Sequence, residues 1–185
     1  MTIMTMETTM AALDDWVHLT EDIPEVGLTV GHTATAAQLL AMAAELGVTS
    51  CEALTLTYTI HGIADGTYNL VGQLRGRVVQ PCVVTLEPVA QDIDEPLAVD
   101  YWPADQMPEP DKGEINLRDD DADIQPMIDG RIDVGTVAYE VLASAVDLYP
   151  RQPGATLEWE DKLAPGGTSG KVNPFAVLAK LKDKR

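Results

Sequence analysis

The chain has few of the residues from which catalytic and metal sites are usually built. Its 185 residues include two cysteines and three histidines. The cysteines, Cys51 and Cys82, are too far apart for a C-x-x-C pair, and no two of His18, His32 and His61 have the H-x-x-x-H spacing. Buried thiols and ordinary surface or core histidines are therefore expected. We expect neither a bound metal nor another cofactor.

Large aromatic residues and long apolar runs are also scarce. One Phe, three Trp and five Tyr are present although hydrophobic residues make up 45% of the chain, so Val, Leu, Ile, Ala and Met must form the core. No apolar run reaches the roughly 18 residues of a membrane span. The first residues lack the basic and apolar regions of a secretory signal. We expect a cytoplasmic protein without a membrane partner.

Two segments resemble ligand-binding loops but lack residues that such loops need. Gly166 to Lys171 ends in Gly-Lys, as a phosphate-binding loop does, but Pro165 occupies the position of its first glycine and Val172 that of its magnesium-binding hydroxyl. The acidic run 119–123 alternates carboxylates as a calcium loop does, without the later turn glycine and bidentate glutamate. No serine or cysteine nucleophile has an adjacent histidine base. An enzyme is not expected, although a small-molecule or metal-dependent enzyme with residues clustered only in three dimensions stays an alternative.

Charge is abundant and unevenly distributed. The net charge is −18. Residues 171–185 nevertheless carry a net charge of +4, which leaves −22 on residues 1–170. The positive residues of this tip are Lys171, Lys180, Lys182, Lys184 and Arg185. An acidic surface can simply keep a protein soluble, but it also attracts a basic partner and repels the phosphates of RNA.

The length suits one domain with its own core. Residues 1–14 show no periodicity and are predicted to be disordered, and residues 15–185 are predicted to form the domain. An irregular acidic excursion is expected at about 92–123, where four prolines lie among many acids. A flexible loop rich in glycine is expected at about 160–172.

Hydrophobic alternation predicts an antiparallel sheet with strands at 54–60, 70–79 and 83–89. Short runs at 16–19 and 28–30 are predicted to form an opening pair of edge strands. Glycines alternate with leucines on one face of the second strand, a pattern that favours strong curvature or close backbone approach. The fold class is therefore α+β, with a strongly curved or partly barrel-like antiparallel sheet.

Two to three helices are expected to pack on this sheet. The first, at 35–46, begins with the capping-box spacing of Thr35 and Gln38 and ends at Gly47. The second, at 134–148, follows Asp133 as its N-cap and carries a wide apolar stripe that includes Leu142. A short third helix is predicted to start at Asn173 and Pro174.

Three blocks of sequence stand out, in the order 82–89, 129–154 and 173–182. Together they resemble the YceD family in its alphaproteobacterial form. Here Cys82 is the one thiol of the first block, where many relatives have a second cysteine or basic residues, so the resemblance carries no metal role over. The residues that match the family's motifs are Cys82, Glu87, Pro88, Asp129, Gly130, Asp133, Gly135, Glu140, Tyr149, Pro150, Arg151, Asn173, Pro174 and Phe175.

The resemblance implies a non-enzymatic factor that supports accumulation of large-subunit ribosomal RNA. Together with the charge distribution, it favours an acidic body that binds a basic ribosomal protein or a pre-ribosomal particle, with weak rRNA contact through the C-terminal tip. The alternative is direct rRNA recognition, for which Arg75 and Arg77 on one strand face, together with the C-terminal lysines, are the candidates. Among so many carboxylates such arginines more often pair with Asp or Glu.

Overall fold

The computed structural model describes residues 11–107 and 123–156, which form seven strands and two α-helices. All of these elements belong to one compact unit that ends at Ala155. The bounds are β1 Val17–Leu19, β2 Leu28–Thr33, α1 Ala36–Leu46, β3 Ser50–Gly62, β4 Tyr68–Pro81, β5 Pro88–Pro103, β6 Asp123–Met127, β7 Arg131–Asp133 and α2 Val134–Ala145. No helix of these residues is long and apolar enough to cross a membrane.

The main sheet has five strands in the order β2-β3-β4-β5-β6. The first four are antiparallel neighbours, and β6 joins β5 in parallel. The predicted α+β class and the mostly antiparallel sheet are therefore confirmed, but the sheet is open and the barrel-like curl is not confirmed. The two opening strands do not pair with each other, because β1 forms a separate two-stranded sheet with β7.

The inner face of the sheet is the one that alternation predicted. On β3, Leu54, Leu56, Tyr58 and Ile60 are all buried, and on β4 the buried residues are Leu70, Leu74 and Val78. They form one core cluster with residues of both helices, namely Met42, Ala43, Val137, Ala138 and Leu142. The opposite face, which carries Thr57, Arg75 and Asp94, is exposed or half-buried. The domain core is thus a two-layer arrangement of helices on one face of a sheet.

The glycines of β4 permit close approach of the backbone. A Cβ atom at Gly72 would lie 2.7 Å from the carbonyl oxygen of Thr57 on β3, and one at Gly76 would lie 3.3 Å from the Cδ1 atom of Leu142 on α2. Of the two explanations for the glycine pattern, close approach is therefore the one that the structure supports.

The prediction of an irregular excursion from residue 92 is wrong over 92–103, which belong to β5. Inward residues Ile93, Leu97, Val99 and Tyr101 are buried, so the alternation was present but obscured by acids and Pro96. The strand tolerates Pro96 because the pairing with β6 covers only Val99–Pro103. At Pro96 the strand pairs with β4 alone, where a residue without an N–H is acceptable. Residues 108–122 lie outside the described residues.

The predicted strand at 83–89 is also wrong over 83–87. Cys82 to Glu87 form the loop of the β4–β5 hairpin, in which Leu86 has a positive φ of 62°. Val83, Val84 and Thr85 favour strands by type. Their N–H groups instead bond to groups outside a strand ladder, Pro150 O for Val83 and the Cys82 sulfur for the other two.

Helix α1 confirms its predicted ends. The Thr35 hydroxyl accepts the N–H of Gln38 at 3.3 Å, the Gln38 side chain accepts the N–H of Thr35 at 2.8 Å, and Gly47 closes the helix with a φ of 66°. Helix α2 starts after the Asp133 cap as predicted but ends at Ala145, before residue 148. The chain turns extended at Val146, and Leu148, the last residue of the predicted helix, is 81% exposed.

Order begins earlier than the prediction for residues 1–14. Ala11–Leu13 form a 3-10 turn, and Leu13 is 2% exposed in the core. Gly135 explains this position, because a Cβ there would collide with the carbonyl oxygen of Leu13. The remaining predictions for the termini, residues 1–10, the loop at 160–172 and the helix from Asn173, lie outside the described residues.

Candidate functional site

The described residues carry a strong excess of negative charge. They contain 19 Asp and Glu side chains against four arginines and no lysine, and none of these charged residues is buried. The four are Arg75, Arg77, Arg131 and Arg151. Surface potential over this part of the chain is therefore set by carboxylates, and the placement of four guanidinium groups decides where an anion could bind.

Arg75 and Arg77 lie on the outer face of β4, each opposite an aspartate of β5. The register pairs Arg75 with Asp94 and Arg77 with Asp92. The Nε atom of Arg75 lies 3.2 Å from Asp94 Oδ1, and Nη1 of Arg77 lies 2.7 Å from Asp92 Oδ1. Glu52, at the bulge of β3, adds a second carboxylate 3.1 Å from the Nε atom of Arg77.

The aspartate beside Arg75 is further stabilised in its charged form. A hydrogen bond from the Gln73 amide, at 2.6 Å, and then the Arg75 guanidinium hold the pKa of Asp94 below its usual value. Two guanidinium groups thus contact three carboxylates. A phosphate could reach Arg75 or Arg77 only in competition with these carboxylates.

The other arginines do not extend this cluster. Arg131 lies on β7, in the separate two-stranded sheet, and Arg151 follows α2. Arg118 is outside the described residues. The predicted tip residues Lys171, Lys180, Lys182, Lys184 and Arg185 also lie outside them, as do Asn173, Pro174 and Phe175.

The first two motif blocks meet at one end of the domain. We call this place the motif junction and define it as the hairpin loop 82–87 together with the segment 146–152 that follows α2. The Val83 N–H donates to the Pro150 carbonyl at 2.9 Å, and the Gln152 N–H donates to the Cys82 sulfur at 3.4 Å. Pro150 is buried. The loop 82–87 and the segment 146–152 are about sixty residues apart in the sequence, and the fold brings them into hydrogen-bond contact.

Cys82 is the centre of the junction. Its side chain is fully buried and its sulfur accepts N–H groups of Val84, Thr85 and Gln152, each at 3.4 Å. Hydrogen bonding from the Thr85 side chain, and then from the backbone N–H groups of Gln152 and Thr85, lowers the pKa of Cys82 to about 6. These hydrogen bonds favour the thiolate form of the group. Because it is enclosed, it joins two loops rather than presenting a nucleophile to solvent.

Two glutamines fix the far side of the junction. The Gln91 side chain donates to the Ala145 carbonyl at 2.8 Å and accepts the N–H of Asp147 at 3.0 Å. The Gln80 side chain donates to the Asp147 carbonyl at 3.1 Å. These bonds satisfy backbone groups at the end of α2 and explain why the helix stops at Ala145.

The remaining motif residues of the second block shape the backbone. Asp129 and Gly130, with φ of 52° and 68°, make the two-residue turn between β6 and β7. Asp133 caps α2 by accepting the N–H of Thr136 at 2.9 Å. Glu140 is exposed on α2 and accepts a weak hydrogen bond of 3.4 Å from Gln125. Most of this block therefore positions the helix that leads into the junction.

A second polar cluster lies where the two sheets meet. The hydroxyl of Tyr58, on β3, lies 2.5 Å from His18 Nε2 and 3.0 Å from His32 Nε2. The His32 ring stacks on Trp16 with centroids 4.7 Å apart. Since Tyr58 has one hydroxyl proton, it donates to one imidazole and accepts from the other.

The environment keeps both histidines neutral. Burial, and then the charge of His32, lower the pKa of His18 below 6.5, while Asp22 opposes the shift. Burial lowers the pKa of His32 in the same way, against Asp15. The cluster ties β1 to the main sheet, and Tyr101 makes a parallel connection by donating to the Asp133 carbonyl at 2.8 Å.

Two further features of the described residues bear on metal binding and on small-molecule binding. Within residues 11–107 and 123–156, no three His, Cys, Asp or Glu side chains are placed to hold one metal ion. An open cleft of about 510 Å³ between the β5 end and the β6–β7 turn contains Asp105 and Asp129 but neither histidine nor cysteine.

Sequence reasoning found the residues of the junction but not their partners. Glu52, Asp92 and Asp94 were not singled out as partners of the arginines, because only strand register places them opposite one another. Gln80 and Gln91 also carried no signal, since a glutamine that bonds a distant carbonyl looks like any surface glutamine. The run 82–89 itself was the one local sign of the junction.

Comparison with known proteins gives one family and no individual relative. The family described as "Large ribosomal RNA subunit accumulation protein YceD" matches residues 70–182. No curated protein and no solved structure matches the chain. The match spans β4 to the C-terminal basic segment and includes both halves of the motif junction. Since it covers more than half of the chain, the protein belongs to the YceD family, whose description assigns it to accumulation of large-subunit ribosomal RNA.

Proposed function

We propose that the protein supports accumulation of large-subunit ribosomal RNA without catalysis, by binding a basic ribosomal protein or an assembly intermediate that contains one. The observation that carries this proposal is the surface charge. The described residues contain 19 carboxylates and four arginines, and two of the arginines, Arg75 and Arg77, are paired with three of the carboxylates. The family match supplies the process in which the partner takes part.

Electrostatics favours a cationic protein over naked RNA. Binding RNA requires lysine or arginine to replace the counterions of the phosphates, and each additional carboxylate opposes that exchange. A basic ribosomal protein is attracted over the whole acidic surface, which speeds its association and suppresses non-specific pairing with RNA. The protein would thereby hold its partner until the partner is transferred to the growing particle.

Direct RNA contact is assigned to the C-terminal tip. Residues 171–185 have a net charge of +4. The positive residues are Lys171, Lys180, Lys182, Lys184 and Arg185. A few such contacts give weak, salt-sensitive binding of about 10⁻⁴ to 10⁻⁶ M. The tip therefore guides the complex towards rRNA and does not select a sequence.

Direct rRNA recognition through the sheet has less support. Arg75 and Arg77 would have to leave their carboxylate partners before they could bind phosphates, and those carboxylates would stay beside the RNA. Exposed ion pairs are individually weak, so such an exchange is feasible for one arginine, but the net charge of the cluster remains unfavourable.

Affinity purification from growing cells tests the proposal. The tagged full-length protein is recovered at physiological salt, and co-purifying proteins and RNA are both identified. The proposal predicts a stoichiometric basic large-subunit protein, with rRNA that is lost after mild nuclease treatment while the protein remains. Recovery of rRNA alone, resistant to removal of every ribosomal protein, would contradict it.

A further inference from the structure

Exposed apolar side chains concentrate at the motif junction. Of the ten large hydrophobic side chains that are exposed in the described residues, four lie there. They are Val83 at 46%, Leu86 at 78%, Leu148 at 81% and Tyr149 at 71% exposure. The bond from Val83 N–H to Pro150 places the two loops side by side. We call these four residues the apolar patch.

Leu86 stands in a backbone conformation that disfavours it. Its φ of 62° lies in the left-handed region, where a residue with a Cβ is strained and Gly or Asn is preferred. The side chain is also 78% exposed, so it gains little from burial in the fold. A bulky apolar residue that strains its own loop and remains in solvent indicates a role outside the fold of the isolated chain.

The loop is nevertheless held firmly. The Leu86 N–H donates to the Cys82 carbonyl at 2.9 Å, and the Cys82 N–H donates to the Glu87 carbonyl at 2.7 Å. The buried Cys82 sulfur accepts three further hydrogen bonds from backbone N–H groups. A partner that covers Leu86 would therefore find the side chain already positioned, which reduces the ordering cost of binding.

The surrounding charge selects the partner. Glu87 follows Leu86 and Asp147 precedes Leu148, while Arg151 is the one cation among residues 82–87 and 146–152. Beyond the junction the described residues carry 17 carboxylates and three arginines. An RNA strand would bring phosphates to this surface, whereas a cationic protein segment with apolar side chains complements both the patch and the charge around it.

We propose that the apolar patch is the docking point for an amphipathic, lysine- or arginine-rich protein segment. Its apolar side chains cover Leu86, Leu148 and Tyr149, and its cations face the acidic surface. The proposal rests on the proposed function and adds the place of contact and the need for apolar side chains in the partner. Charge alone would leave the basic segment free to bind anywhere on the body.

A pair of synthetic peptides tests this directly on the full-length protein. One is an amphipathic helical peptide of lysine and leucine, and the other carries the same lysines with every leucine replaced by serine. Leu86→Asn removes the apolar side chain and introduces a residue that tolerates a positive φ. We expect it to weaken binding of the lysine–leucine peptide about tenfold and to leave the lysine–serine peptide unchanged.

Control variants separate the patch from general damage. Val26→Asn removes an 87% exposed side chain in a turn outside the junction and is expected to bind both peptides as the wild type does. The double variant Leu148→Ser, Tyr149→Ser should weaken the lysine–leucine peptide at least as much as Leu86→Asn. Thermal unfolding should show Leu86→Asn to be as stable as the wild type or more stable, because the strain is relieved.

The outcomes distinguish this proposal from the proposed function. If the wild type binds both peptides and none of the junction variants differs by more than about twofold, charge attracts basic partners but the patch is not their docking point. If the junction variants alter self-association of the protein and not peptide binding, the patch belongs to a second copy, and the proposal is wrong. If neither peptide binds at low salt, the proposed function also fails.

Discussion

The outer sheet face and the motif junction differ in how their exposed side chains are satisfied. On the outer face, Arg75 and Arg77 are engaged by carboxylates of the neighbouring strands. At the junction, buried hydrogen bonds around Cys82 fix the backbone while Leu86, Leu148 and Tyr149 project with 71% to 81% exposure. The first region is therefore closed by internal pairs, and the second presents apolar surface on a fixed frame.

The contrast shows that the arginines of the outer face are paired within the fold, whereas the apolar side chains of the junction are left exposed by it. Arg75 and Arg77 on one strand face were the candidates for an anion site, although pairing with Asp or Glu was the more common expectation, and the register places an aspartate opposite each. The junction has little charge and was marked only by a motif. Exposed groups that the fold has not already satisfied are the better indicators of a partner.

Both regions depend on the packing of α2, which gives the largest expected effect. Leu142 is fully buried, and its Cδ1 atom lies over Gly76 of β4. Gly76 stands between Arg75 and Arg77 in the sequence. Leu142→Ala should lower the free energy of unfolding by about 2 to 5 kcal/mol, because it leaves a cavity under the sheet and loosens the helix that leads into the junction. Chemical denaturation measures it, with the exposed Leu40→Ala on α1 as the matched control. A loss below about 0.5 kcal/mol would place the α2 face in solvent.

Replacing Cys82 should affect the junction alone. Cys82→Ala leaves three N–H groups without their acceptor, whereas Cys82→Ser retains a smaller acceptor, so Ala should destabilise more than Ser. The folded pKa of about 6 lies below the usual 9.0, so the thiolate contribution is complete above pH 9.0 and is lost as pH falls through 6.

The measurement for Cys82 is the free energy of unfolding between pH 9 and 6. The wild type should lose stability over this window, and both substitutions should flatten the slope there. An unchanged slope in Cys82→Ser would show that the thiol is not ionised in the folded protein. Binding of RNA should not change in either variant.

The histidine cluster should give a separate acid-sensitive step. Burial lowers the folded pKa of His18 and His32 below 6.5, so the unfolded chain binds more protons there and stability falls as pH drops below 6.5. Substituting both histidines by Gln should reduce this fall while it leaves the Cys82 window intact. The same denaturation series measures it, and a fall that persists in the double variant would assign it to other groups.

Breaking the arginine pairs should have the smallest effect. Arg75→Gln and Arg77→Gln remove exposed ion pairs, each expected to contribute less than about 1 kcal/mol to stability. Since the proposal gives these arginines no RNA contact, rRNA affinity should also stay unchanged. A marked loss of RNA binding in Arg77→Gln, with stability intact, would reopen the outer face as an interface.

Local pattern predicted the elements that local chemistry determines. The alternation of β3, the capping box of α1 and the Asp133 cap all depend on residues within a few positions of one another. The failures occurred where distant groups decide the structure. The run 83–87 became a loop because Pro150 and the Cys82 sulfur take its N–H groups, and 92–103 became a strand because β4 supplies its partner.

The candidate site was predictable in its residues but not in its geometry. The blocks that match the family's motifs contain Cys82 and Pro150, yet no rule of sequence spacing relates positions so far apart. Leu86 is exposed and has a positive φ because it lies in the loop that closes the hairpin. The sequence had predicted a strand at this position. The excess of negative charge could be read from the composition. The pairing of the arginines with carboxylates could be seen only from the strand register.

The central claim is that the acidic body binds a basic protein in preference to rRNA. The most direct test is a salt titration of full-length protein, and of protein lacking residues 171–185, against naked large-subunit rRNA and against a purified basic large-subunit protein. The account predicts rRNA binding of only about 10⁻⁴ to 10⁻⁶ M that disappears with the tip, and tighter protein binding whose on-rate falls with salt and survives the truncation. Tight, sequence-selective rRNA binding that persists without residues 171–185 would contradict it.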